Sequence, residues 1–183
     1  MPTFLIDQLG FSTSTAGALS TVPYAALFVV TLVSGHYFTY CLKELDWSVR
    51  AVRLSAQFIS LIGASCGLLL CGYLSNVSVA YACMVFTQAF LGILNSGYTC
   101  SYLDIAPYYS GLLNSIAVMV GAAAGVLGPI IVSMLTSAYS GVMGWRYVFF
   151  ISVIQCAFAL GFWYVYQRSE LVHVLNTPLI PTK

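Results

Sequence analysis

The chain has 183 residues, of which 60% are hydrophobic and only 6% are charged, and its formal net charge is +1. A soluble globular domain carries about 25% charged residues because its surface faces water, so eleven charged side chains (six basic, five acidic) exclude a water-exposed surface over most of this chain. Nucleic-acid binding is not expected either, because it needs clustered Lys and Arg.

Five segments are long and apolar enough to cross a bilayer, whose hydrocarbon core of about 30 Å takes roughly 20 helical residues. They are 18–42, 54–74, 77–100, 108–136 and 146–167. Helices are expected because lipid cannot satisfy the backbone N–H and C=O groups of an open sheet edge. The sequence therefore predicts an all-α fold, a polytopic membrane bundle of these five transmembrane helices.

The distribution of Lys and Arg over the connections predicts the orientation in the membrane. Five basic residues fall on one side and one on the other. The five are Lys43, Arg50, Arg53, Arg168 and Lys183, and the one is Arg146. Because cytoplasmic loops are enriched in Lys and Arg, we expect a cytoplasmic tail at 168–183, a helical region at 18–167, and a luminal or extracellular lead-in at 1–17.

The connection between the third and fourth segments contains the motif Leu-Asp-Ile-Ala-Pro at 103–107. The Asp104 carboxylate can accept from the free N–H groups at the start of the fourth helix and meet the positive end of its dipole. Pro107 suits the first turn of that helix. Two interpretations stay open: a capped turn, or a cytoplasmic gate in which Asp104 is latched by Arg50 or Arg53.

The fourth segment has a face of small residues and a potential hinge. Gly121 and Gly125 leave one helix face without side chains, so that another backbone can approach closely. Gly128-Pro129 can hinge the helix, because proline removes a hydrogen bond from the helical ladder. Static close packing and a seam about which helices rock are both compatible with this pattern.

Uncharged polar side chains at membrane depth are few, and such groups hydrogen-bond neighbouring helices or line a wet cavity. They are Gln57, Gln88, Asn95, Asn114 and Gln155, with Tyr24 beside Pro23. Our candidates for a substrate path are Tyr24, Asn95, Tyr98 and Asn114. Catalytic constellations and metal-ligand spacings are absent from the sequence, so neither an enzyme nor a bound metal or cofactor is expected.

Several stretches together resemble one known family. They are 2–5, 19–24 (LSTVPY), Ser34-Gly35, Val52-Arg53, Ser96-Gly97, 103–111 (LDIAPYYSG), Gly125-x-x-Gly128-Pro129 and 144–149 (GWRYVF). The sequence is similar, over roughly 1–168, to the C-terminal half of the anion:cation symporter family within the major facilitator superfamily. That family includes sialin, the vesicular glutamate transporters and the sodium–phosphate cotransporters. In this likeness the five spans correspond to helices eight to twelve of a twelve-helix transporter, and the opening residues to the end of helix seven.

The resemblance implies secondary transport of organic or inorganic anions by alternating access, coupled to H⁺, Na⁺ or the membrane potential. The implied surroundings are the lipid bilayer of a plasma, lysosomal or vesicular membrane, with a small anionic substrate once the missing half is supplied. We expect a C-terminal fragment that is inactive alone. The alternative function is a non-transporting membrane interaction protein that packs on the helices of a full-length transporter.

Overall fold

The computed structural model describes residues 12–73, 76–139 and 142–167. Its helices are α1 Thr13–Lys43, α2 Val49–Tyr73, α3 Val77–Ile105, α4 Ser110–Ala138 and α5 Val142–Tyr166. All five belong to stretches long and apolar enough to cross a membrane, which confirms the predicted bundle.

The first, second and fifth helices begin earlier than the apolar segments that predicted them. The first two open with polar or charged residues such as Thr13 and Arg50, which belong to the helix but not to its apolar stretch. The fifth opens with Val142, Met143 and Gly144, ahead of Arg146, at which the predicted segment begins. The end of the predicted lead-in at 1–17 is thus helical from Thr13 onward. The rest of that lead-in, 1–11, and the predicted tail at 168–183 lie outside the described residues.

The start of α1 and its connection to α2 follow from local chemistry. The Ser12 hydroxyl accepts from the backbone N–H of Thr15 at 3.2 Å and caps the helix. After Lys43 the chain turns through Asp46, which has a φ of 49°. Aspartate tolerates this left-handed conformation because its short side chain can hydrogen-bond locally. The two long helices can therefore be joined by a short polar connection.

Helix α3 lies at the centre of the packing, with α1 and α2 along its sides, while α5 packs on α2. Two clusters of buried side chains fill the contacts. One comprises Cys71, Ala80, Met84, Trp145 and Phe149, and the other comprises Phe38, Cys41, Val52 and Ala56. Large apolar side chains are nevertheless exposed on all five helices. Such a surface needs lipid rather than water around it.

Helix α4 is attached mainly to α5 and to the end of α3. Across Ser110–Ala138, all of it described by the structure, no residue is buried. Nothing among the described residues lies within 4 Å of a Cβ built on Gly121, Gly125 or Gly128. The close helix packing expected at these glycines is therefore not made within the described part of the chain.

Candidate functional site

An ion pair joins the start of α2 to the end of α3. The Nε of Arg53 donates to Oδ2 of Asp104 at 2.7 Å, and its Nη2 donates to Oδ1 at 3.2 Å. The two side chains are only 9% and 21% exposed. A guanidinium that binds both carboxylate oxygens fixes orientation as well as distance, so the two helix ends are held in one relative position.

The same guanidinium makes a third hydrogen bond, to the backbone of α3. Its Nη1 donates to the carbonyl oxygen of Ser96 at 2.9 Å. Ser96 belongs to the stretch Asn95–Thr99, which is π-helical, whereas the residues of α3 on either side of it are α-helical. Arg53 therefore connects the ion pair to an irregular turn inside a helix.

Asp104 does not play the capping role predicted for it. The 3₁₀ turn Pro107–Tyr109 and the helix α4 that follows have no side-chain cap among the described residues. The carboxylate turns to Arg53 instead, because a charged, bidentate partner binds it more strongly than a neutral N–H group does. Pro107 opens this 3₁₀ turn and so lies just before α4, rather than in the first turn of α4 itself. Arg50, the other predicted partner of Asp104, is exposed.

The end of α5 reaches the same part of α3. The side-chain Nε2 of Gln167 donates to the hydroxyl of Ser101 at 3.2 Å. That hydroxyl donates in turn to the carbonyl oxygen of Gly97 at 2.9 Å. Gln167 and Ser101 are buried. The ends of α2, α3 and α5 thus meet in one polar cluster around the π-helical turn.

The four substrate-path candidates are only partly brought together. Asn95 and Tyr98 lie in the same π-helical turn, where Asn95 is exposed and Tyr98 is half-buried, edge-to-face with Tyr102 at 6.1 Å. Tyr24 on α1 is exposed and Asn114 on α4 is half-buried. Among the described residues, no hydrogen bond or ring contact joins these last two to the other candidates.

Outside the polar cluster, hydroxyl groups also make hydrogen bonds between helices. Ser60 on α2 donates to the Phe90 carbonyl at 2.8 Å, and Tyr81 on α3 donates to the Leu19 carbonyl at 2.8 Å. By contrast, the Oε1 of Gln57 is buried and has no partner in the described structure. The sequence did not point to these hydroxyls, because helical Ser and Thr also bond to carbonyls of their own helix.

A groove of about 470 Å³ lies on the outer face of α1 and is mainly apolar. Its lining residues are Leu32, Val33, His36, Tyr37 and Tyr40, all from that one helix. A groove on a single helix does not enclose a ligand, so we place the candidate site at the polar cluster around the π-helical turn.

Comparison with known proteins gives one family. The sequence pattern of the Major Facilitator Superfamily matches residues 1–179. Sialin of Homo sapiens is 28% identical over 172 residues, which are 93% of this chain and 34% of sialin. Vesicular glutamate transporter 2 of Mus musculus is 30% identical over 169 residues, which are 92% of this chain and 29% of that protein.

A plant protein is also similar over most of the chain. Probable anion transporter 5 of Arabidopsis thaliana is 26% identical over 181 residues, which are 94% of this chain and 41% of that protein. The chain thus spans about a third of the length of the curated relatives it matches.

Proposed function

The chain belongs to the Major Facilitator Superfamily and is a multi-pass integral membrane protein, and we propose on that basis that it supplies helices to the C-terminal half of a secondary transporter of organic or inorganic anions. The observation that carries the proposal is the family match over 1–179, together with relatives whose names denote anion or glutamate transporters. Coupling to H⁺ or Na⁺ belongs to the same proposal, and no further cofactor does.

The mechanism we propose is alternating access, in which two halves rock about a central site. Within the C-terminal half, opening toward the end of the bundle that holds Arg53 would shift the end of α3 against the start of α2 and break the pair with Asp104. The bidentate geometry and the low exposure of both side chains support this assignment of the latch. Arg50 is exposed and is better placed to contribute surface charge. Pro107, which follows Asp104, would fix the direction in which α4 leaves the latch.

For the substrate path we propose Asn95 and Tyr98 first, because the π-helical turn places them beside the latch. Tyr24 and Asn114 would contribute from α1 and α4. The exposure of Tyr24 and Asn95 supports a role toward a part of the transporter beyond these helices. Gly121, Gly125 and the Gly128-Pro129 step would allow α4 to move during rocking, and the lack of buried residues in α4 supports that mobility.

We propose that the C-terminus faces the cytoplasm and that the protein resides in the plasma membrane or in a lysosomal or vesicular membrane. The excess of Lys and Arg on the side that carries Arg50 and Arg53 supports this orientation. The hydrogen bond of Gln167 to Ser101 supports placing the end of α5 on the same side.

A chimera tests the transport function. This chain would replace the matched segment of a full-length relative such as the mouse vesicular glutamate transporter 2 in proteoliposomes. We expect saturable glutamate or phosphate uptake that Arg53→Gln abolishes and the control Arg50→Gln preserves. A correctly inserted chimera that takes up neither anion above empty vesicles contradicts the proposal.

We further propose that residues 1–183 by themselves transport nothing, because a site between two halves needs both halves. The chain spans about a third of its relatives' length, which supports this. Saturable uptake by the purified 183-residue chain in liposomes, above that of empty vesicles, would disprove it.

A second candidate function is that of a membrane interaction protein that packs on a full-length transporter without transporting. The open glycine face of α4 favours it, since small residues let helices approach closely in lipid. The chain should then co-purify with a full-length relative, and Gly121→Leu with Gly125→Leu should abolish the association. Gly17→Leu, at another open glycine, is the matched control.

A further inference from the structure

The π-helical turn Asn95–Thr99 creates a hydrogen-bonding problem that α3 cannot solve alone. A π turn adds one residue to the helical ring, so the N–H donors shift by one position relative to the carbonyls. Where the α register resumes, one carbonyl is left without a donor from its own helix. A buried carbonyl in this position needs an outside partner, because an unmade hydrogen bond is costly in a dry environment.

Within the turn, the Ser96 carbonyl has such an outside partner, Arg53 of α2. Its Nη1 donates to the Ser96 carbonyl at 2.9 Å, and Ser96 is buried. The other two donating nitrogens of the same guanidinium are committed to Asp104. Since the guanidinium is planar and rigid, its hold on Ser96 depends on its hold on Asp104. One side chain, Arg53, therefore contacts both the π turn of α3 and the carboxylate of the ion pair.

Gln57 is a buried acceptor beside the π turn that the observed register leaves without a donor. It lies one turn after Arg53 on α2, and its buried Oε1 has no donor among the described residues. A Cβ built on Gly97 would lie 2.6 Å from that oxygen, so the amide faces the π turn directly. A change of register in α3 would carry its backbone and side-chain donors past this acceptor.

We propose that Arg53 is a positioning residue that sets the register of α3: π-helical while Asp104 holds it, α-helical once that pair separates. When the π turn returns to α-helical hydrogen bonding, the helix on one side of it rotates by about 100° relative to the other side. Asn95 and Tyr98 would then change their direction together with the latch. The role of this movement in transport rests on the proposed function, but the register change is a property of the described residues alone.

NMR of labelled backbone carbonyl groups in the whole chain tests the proposed register change. Serine labelled with ¹³C at the carbonyl and glycine labelled with ¹⁵N select Ser–Gly pairs in two-dimensional NMR. The chain has four: Ser34-Gly35, Ser96-Gly97, Ser110-Gly111 and Ser140-Gly141. The spectra are recorded on the chain in lipid nanodiscs, and Ser→Ala variants identify which signal belongs to which pair. The Ser110 signal serves as the reference for folding.

The decisive variant is Asp104→Asn, which does not touch Ser96. We expect its Ser96–Gly97 signal to move upfield or split, because a neutral backbone N–H replaces the charged guanidinium as donor to the Ser96 carbonyl. Asp104→Glu, which keeps the charge, should restore the wild-type signal, and Arg50→Gln should leave it unchanged. An unmoved Ser96 signal in Asp104→Asn overturns the proposal.

A lost Ser110 signal would show that Asp104→Asn does not fold. In that case Arg53→Lys provides the second test. Lysine is a point charge that cannot hold Asp104 and Ser96 in a planar fork, so the Ser96 signal should shift; an unshifted signal contradicts the proposal. No substrate is needed, so an inactive transporter would not alter the result, and a failed register change would leave the transport proposal standing.

Discussion

The hydroxyl of Thr31 on α1 shares its one proton between the Gly92 carbonyl of α3, at 3.1 Å, and the Leu27 carbonyl of its own helix, at 2.8 Å. A Cβ built on Gly92 would lie 2.6 Å from the Leu27 oxygen. The two backbones are thus nearly in contact at Gly92. Helices in lipid gain stability from such close packing around small residues.

Gly92→Ala should lower stability, because the new methyl group meets a backbone oxygen that cannot move aside. We expect a loss of about 1–3 kcal/mol, the usual range for an overpacked site, measured by unfolding in detergent. The matched control is Gly121→Ala, where nothing described lies within 4 Å and the change should be neutral or slightly stabilising. Equal losses at the two positions would mean that the α1–α3 contact is not made.

The stability losses from removing Arg53 and from removing Asp104 should not be additive. Arg53→Gln or Asp104→Asn leaves one charge without its partner, and we expect each to cost about 3 kcal/mol, the low end for a buried pair because Asp104 is partly exposed. The double variant should cost less than the two single losses added together. Arg50→Gln is the control, since Arg50 is exposed. Strictly additive losses would show that the two side chains do not interact.

Gln57 and Gly97 should be coupled energetically. Gln57→Leu removes a buried acceptor that lacks a donor, so we expect a gain of about 1 kcal/mol in stability. Gly97→Ala should destabilise the protein, because its Cβ would press on the Gln57 amide oxygen. In a Gln57→Ala background that loss should shrink markedly. A Gly97→Ala loss of the same size in both backgrounds would place the strain elsewhere.

The five helices could be predicted because bilayer thickness fixes the length of an apolar span, whatever its partners. The ion pair was half predicted: the sequence offered Arg50 and Arg53 as partners of Asp104, and only three-dimensional packing buries Arg53 beside Asp104. The π turn had no visible signal, because Asn95–Thr99 is compatible with an ordinary α-helix. Its Ser96 carbonyl accepts a hydrogen bond from Arg53 of α2, and single-sequence patterns do not report such distant partners.

At the opposite end of the bundle, Arg146 of α5 caps the C-terminus of α2. Its Nε donates to the Gly72 carbonyl at 3.0 Å, and its guanidinium lies 5.3 Å from the centre of the Tyr73 ring. The last carbonyls of a helix lack intrahelical donors and carry its negative dipole end, so a cation is favoured there. Arg146→Gln should therefore lower stability by about 1–2 kcal/mol and speed amide exchange in the last turn of α2.

The ring contribution can be separated from the hydrogen bond by two substitutions at Tyr73. Tyr73→Phe keeps the aromatic face and should leave stability unchanged, whereas Tyr73→Leu should lose about 0.5–1 kcal/mol because only the cation–π contact disappears. The Leu loss should vanish when Arg146→Gln is already present. If Phe and Leu behave alike in the wild-type background, the Gly72 carbonyl alone holds Arg146, and the end of α2 is stabilised by the hydrogen bond without the ring.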